Sequence, residues 1–161
     1  MRTSMMIGIL LLGACDDDPG TLPSASRLWV QAAGSTEVQG SAFMVFTTAD
    51  LDCDKYKRTL VEGSLNDVLL GDESAMFALT HSGSDGWAGR YTTQNQQILA
   101  DGEASRTAWV RFLDPDGVMV TESSGLVLDI ADETSDVVRG HVDHIWVAGG
   151  FTAENCGSYG G

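Results

Sequence analysis

Few side chains in this 161-residue sequence have a type and spacing suited to chemistry. His141, Asp143 and His144 are close neighbours, a grouping that a metal ion or an acid–base pair would use. On a strand, however, side chains alternate faces, so His141 and Asp143 point one way and His144 the other. Three ligands do not converge from such a run, and surface or rim histidines are the simpler account. Asp50, Asp52 and Asp54 alternate as calcium loops often begin. An EF-hand then needs glycine at its sixth position and glutamate at its twelfth. Lys55 and Val61 stand there instead, which leaves a solvated acidic turn. Cys53 and Cys156 have no cysteine or histidine at zinc-ligand spacing. Phosphate-cradling glycine loops and a nucleophile elbow are also missing from the sequence. No metal, no cofactor and no enzymatic activity are expected.

Aromatic residues offer a different chemistry. Trp87 and Tyr91 flank a glycine-bearing turn, where an exposed ring could stack on a ligand such as a sugar. Trp109 and Trp146 lie inside strong apolar runs and are expected to fill the core. Possible ligand-binding residues are therefore Trp87, Tyr91, His141 and Asp143. The alternative enzyme would be a hydrolase built on the acidic turns and His141.

Charge narrows the partners. Nine basic residues against 23 acidic ones leave a formal charge of −14. A phosphate-tracking surface needs clustered lysine and arginine, so nucleic acid is excluded as a partner. The hydrophobic fraction of 43% is that of an ordinary folded domain.

The amino terminus carries a location signal. Arg2 is followed by an apolar run from Met5 to Ala14, too short for a membrane span of roughly 20 residues. A basic start, a short apolar stretch and small residues at its end are the parts of a secretory signal peptide. The tetrapeptide Leu12-Gly13-Ala14-Cys15 resembles the lipobox of bacterial lipoproteins. That resemblance implies cleavage before Cys15 and lipidation of its thiol and new amino group. Several acyl chains hold such a protein durably to a bilayer. Loss of residues 1–14 removes Arg2 and no acid, so the mature chain is one unit more acidic than its precursor.

Residues 16–26 combine three aspartates, two prolines and small polar residues, and are expected to form a tether reaching at most about 35–40 Å. The expected organisation is a signal peptide at 1–14, a lipidated cysteine with an acidic tether at 15–26, and a folded domain at 27–161. With Cys15 acylated, two cysteines remain in a compartment that permits disulfides. A Cys53–Cys156 bridge is expected; two free buried thiols are the alternative.

The elements that must position these residues read as β. Short alternating runs are expected at 28–33, 38–48, 104–113, 118–122 and 125–131, with turn-rich clusters between them. Ala42, Met44 and Phe46 share one face, as do Ala108, Val110 and Phe112, and Leu126, Leu128 and Ile130. Residues 74–81 and 86–93 look like a hairpin, 137–147 like one long strand, and 150–154 like a short one. Only 53–61 has helical spacing. The expected fold class is all-β: an antiparallel β-sandwich or partly closed barrel with at most one short helix.

A second resemblance rests on the carboxy-terminal third. Ser124-Gly-Leu-Val-Leu-Asp-Ile130, Val138-Arg-Gly140, and Gly149-Gly150-Phe-Thr-Ala153 with Cys156 resemble a group of small lipoproteins common in myxobacterial-type Gram-negative bacteria. The family pattern closes with G-x-F-x-A-x-x-C, and Cys53 matches its mid-chain cysteine. Leu126 and the Ser-Tyr-Gly-Gly tail depart from it. The resemblance implies architecture and anchoring but carries no catalytic residue. Expected localisation is the bacterial cell envelope, with the lipid bilayer as one partner and a protein or glycan ligand as the other. The expected role is a non-catalytic binding or envelope-structural module.

Overall fold

A computed structural model describes residues 19–37, 39–83, 86–93, 105–121 and 124–160. The lipobox residues Leu12–Cys15, the acids Asp16–Asp18 and part of the 82–85 turn lie outside the described residues.

Among the described residues, ten strands and two short helices follow one another. The strands are β1 (Gly20–Thr21), β2 (Ser26–Ala32), β3 (Gln39–Thr47), β4 (Ser74–Ser82) and β5 (Gly89–Thr92), then β6 (Ser105–Leu113), β7 (Met119–Thr121), β8 (Val127–Glu133), β9 (Val137–Asp143) and β10 (Val147–Tyr159). The helices α1 (Cys53–Glu62) and α2 (Leu65–Val68) lie between β3 and β4. The all-β expectation holds, and of its two forms the barrel is realised. Eight strands pair in the order β10-β2-β3-β4-β6-β5-β8-β9, and β9 pairs with β10 to close the ring. β1 and β7 are added outside it, on β10 and β6. A one-turn second helix, α2, goes beyond the single helix expected.

Strand alternation sorts the side chains. Trp29, Met44, Phe46, Phe77, Leu79, Val110, Leu128, Val138 and Phe151 point into the lumen and fill it. Phe46 stacks edge-on against both Phe77 and Phe151, with ring centroids 5.6 and 5.2 Å apart. A second core lies outside the ring. Leu28, Val30, Val45 and Leu113 face outward and are covered by Tyr56 and Leu69 of the helical segment. Strands buried on both faces read as continuous apolar runs, as in Phe43-Met-Val-Phe46. On β8 and β9 the outward positions are Asp129, Arg139 and His141, and that wall faces water.

α1 begins where Asp52 accepts a hydrogen bond from the Lys55 amide at 2.7 Å, a standard N-cap. It ends at Gly63, whose φ of 68° supplies the left-handed cap. Cys53, its first residue, is bonded to Cys156 of β10 across a sequence separation of 103. The expected disulfide is therefore present, and it pins the helix to the seam where β10 meets β2.

Three expectations about strand neighbours are corrected. The 74–81 and 86–93 segments do not form a hairpin: β6 lies between them, antiparallel to β4 along its whole length and parallel to β5. β5 has only four residues and could satisfy far fewer backbone groups of β4 than β6 does. The long strand expected at 137–147 breaks after Asp143, where His144–Trp146 turn the chain. Their turn is closed by the His144 amide bonding to the Val147 carbonyl at 3.1 Å. The long strand is instead β10, whose 13 residues pair with β9 and, on the other side, with β1 and β2. Residues 20–26 also belong to the body rather than to a tether. β1 pairs with β10, Leu22 is buried, and the Ser26 hydroxyl donates to the Ala49 carbonyl at 2.8 Å.

Gly140 shows how tightly the ring is packed. It faces Phe151 across β9 and β10, and a Cβ there would overlap the Asp129 carbonyl oxygen and meet Phe151 Cζ at 2.7 Å. Gly140→Ala is expected to cost about 1–3 kcal/mol through overpacking, read as a lower urea midpoint. Reduction of the disulfide, or Cys53→Ser with Cys156→Ser, is expected to cost about 2–5 kcal/mol in the same measurement. An unchanged midpoint in either case would show that the constraint is not felt.

Candidate functional site

The residues singled out from the sequence do not assemble into one site. His141 and Asp143 are exposed on the outer face of β9, as alternation requires. His141 lies opposite Asp129, and Asp129 is held by Arg90 through a paired contact at 2.9 and 3.0 Å. His144 turns the other way and is buried, packed against Phe112 and Trp146 at 5.3 and 5.8 Å between ring centroids. Among the described residues, no three His, Cys, Asp or Glu side chains come close enough to share a metal ion. Of the alternating aspartates, Asp52 caps α1 and Asp54 adds a negative charge to its first turn.

Trp87 and Tyr91 are corrected from candidate ligand-binding residues to lumen residues. Trp87 is 6% exposed and Tyr91 fully buried. Trp87 meets Trp29 edge-on at 5.2 Å, and the Tyr91 hydroxyl donates to the Trp87 carbonyl at 2.8 Å. Burial pushes the Tyr91 hydroxyl up to about 12, so the phenol stays protonated. Neither ring has a face to offer a ligand.

Trp109 and Trp146, expected in the core, are 48% and 41% exposed. The signal that could have found Trp109 is local. Ala108 and Val110 point into the lumen, so the residue between them must point out. Trp146 gave no such signal, because its turn lacks glycine and proline.

Trp109 borders a mainly apolar concavity. A groove of about 330 Å³ runs between α1–α2 and the outer face of β3, β4 and β6. Its apolar walls include Phe43, Leu60, Leu65 and Met76, while Asn66, Arg111 and Thr121 supply polar groups along it. Arg111 and Trp109 are two positions apart on β6 and so share its outward face. A mainly apolar groove with a few polar groups is the usual character of a small-ligand site. The lumen cannot play that part, since the aromatic and aliphatic side chains described above occupy it.

A second cleft, of about 780 Å³, opens at the end of the barrel where β2 turns into β3. Hydroxyls of Ser35, Thr36, Ser41, Thr80, Ser82 and Ser105 dominate it, and His81 lies at its base. His81 is 4% exposed, with its ring 4.2 Å from that of Trp87. Burial lowers its pKa below the ordinary value; a hydrogen bond to the Thr36 backbone opposes this and nearby Arg106 adds to it.

Comparison with protein-family models, with curated proteins and with solved structures finds no match to this chain. The site therefore has to be interpreted from its own geometry.

The lowered His81 pKa has a stability consequence. As pH falls, the unfolded chain takes up the His81 proton before the folded one does, so folding weakens. The loss begins near the unperturbed value of about 6.5 and is complete once pH lies below the lowered native value. His81→Leu is expected to flatten stability against pH across that window, measured as the urea midpoint between about pH 5 and 7. Parallel curves for variant and wild type would exclude His81 as the cause.

Proposed function

We propose that the protein is a lipid-anchored, non-catalytic binding module of the bacterial cell envelope. Acyl chains on Cys15 hold it to a bilayer, and the Trp109 groove takes the ligand. The observation that carries the binding role is a tryptophan, 48% exposed, beside a groove outside a filled barrel. A large ring left in water at an apolar groove is a typical anchor for a partner.

A glycan suits the groove best. Sugars present an apolar face that stacks on indole and a rim of hydroxyls that seek hydrogen bonds. Arg111, Asn66 and Thr121 stand along the groove to meet such a rim. The acidic surface, at a formal −14, argues against an anionic polymer. The hydrolase alternative finds no support in the geometry of His141, whose neighbour Asp129 is engaged by Arg90.

Anchoring and binding are tested separately. Cys15→Ser is expected to move the protein from the membrane fraction to the soluble fraction; a protein that still sediments with membranes would refute the anchor. Trp109→Ala is expected to weaken binding of soluble cell-wall oligosaccharides roughly three- to tenfold, followed by calorimetric titration. An affinity equal to that of wild type would remove the groove from the account.

A further inference from the structure

We infer that the anchored end of the barrel is itself a membrane-docking surface, with Ile145 and Trp146 of the β9–β10 turn lying in the headgroup layer. The inference rests on acylation of Cys15.

Three observations converge on this end. Ile145 and Trp146 are adjacent at a turn and remain 65% and 41% exposed. The chain enters the fold beside them: the Gly20 amide donates to the Trp146 carbonyl at 2.8 Å, and Gly20 is in register with Val147. Pro19, Gly20, Ile145 and Trp146 border a single recess. Because residues 20–26 belong to the body, only Asp16–Asp18 separate Cys15 from Pro19. Four residue steps span at most roughly 14 Å. An acylated Cys15 sits where its chains enter the hydrocarbon, so Pro19 and the turn beside it cannot stand far from the headgroups.

The residues at this end have the right chemistry for that layer. Tryptophan prefers the membrane–water interface, where its ring sits among headgroups. Ile145 adds an aliphatic group that gains by leaving water. The charged carboxylates bordering these concavities are Asp143 at the same recess and Glu73 and Asp114 at the neighbouring crevice that Trp146 also lines, while the Arg27 guanidinium is engaged by the Leu22 and Pro23 carbonyls. Among the described residues, no lysine or arginine lines either concavity. The surface therefore suits zwitterionic lipid, and anionic lipid repels it.

The test uses the mature, acylated protein reconstituted into phosphatidylcholine vesicles that carry a headgroup-level brominated lipid. Wild-type tryptophan emission is expected to be quenched, and Trp146→Phe to lose most of that quenching while Trp109→Phe retains it. Ile145→Asp, at a site too exposed to disturb folding, is expected to reduce the quenching, as is replacement of half the lipid by phosphatidylglycerol. If the intact mass shows no acyl group, the anchor and this inference fall together. If the acylated protein floats with vesicles but Trp146→Phe is quenched like wild type, docking is wrong and the anchor stands.

Discussion

Closure of the sheet by β10 is the constraint on which the rest of the molecule depends. A sheet that did not close would leave the edges of β2 and β9 with unpaired amides and carbonyls. β10 meets both demands: its first half runs antiparallel to β9, and its second half runs parallel to β2. Glu154 pairs with both neighbours at once, and the β10–β2 ladder then shifts register between Asn155 and Ser158, with Gly157 at a φ of 73°. Side chains tie the seam as well. Glu133 of β8 accepts from Gln31 of β2 at 3.1 Å and from Asn155 of β10 at 2.9 Å. Cys53–Cys156 adds the covalent link that brings α1 onto the same seam.

Closure also decides where function can lie. A ring of eight strands filled by Trp29, Phe46, Phe77 and Tyr91 has no room for a ligand in its lumen. Under the proposed function, binding is left to the outside, where α1 packs against β10 and β2 and a groove along Trp109 separates the helices from β3, β4 and β6. The chain enters at the end bearing Ile145 and Trp146, whereas the hydroxyl-lined cleft at His81 lies at the other end. Under the proposed anchoring, the first end faces lipid and the second faces away. The groove on the barrel wall then lies between them, open to the periplasmic or extracellular space.

Much of this was legible from local pattern. Residues 39–47 alternate Ala42, Met44 and Phe46 into the lumen, as read from the sequence, because a strand's period of two is set by its own backbone. The α1 helix was legible from the spacing of Tyr56 and Leu60 four apart, whereas its cap at Asp52, read from the sequence only as part of an acidic turn, emerged from the structure. The site was far less legible. Trp87 looked like a turn residue able to stack on a ligand, yet β5 is inserted between β6 and β8 and carries its neighbourhood inward. Trp109 looked like a core residue, although the alternation that buries Ala108 and Val110 turns it outward. The turn at 144–146 had no glycine or proline to mark it, since His144 and the Val147 carbonyl close it instead.

Composition and local periodicity by themselves determined an acidic, all-β domain with one α-helical excursion, and which faces of each strand are apolar. They also located the signal-like start and the lipobox-like tetrapeptide. These properties need only neighbours a few residues apart, whose relation is set by covalent geometry. The tertiary structure alone decided that β6 lies between β4 and β5, that β10 closes the ring, and that residues 20–26 join the body. It alone decided that Trp87 is buried while Trp109 and Trp146 meet water. Those outcomes depend on pairings between distant segments, chosen by competition for backbone hydrogen bonds and apolar cover that no local window contains.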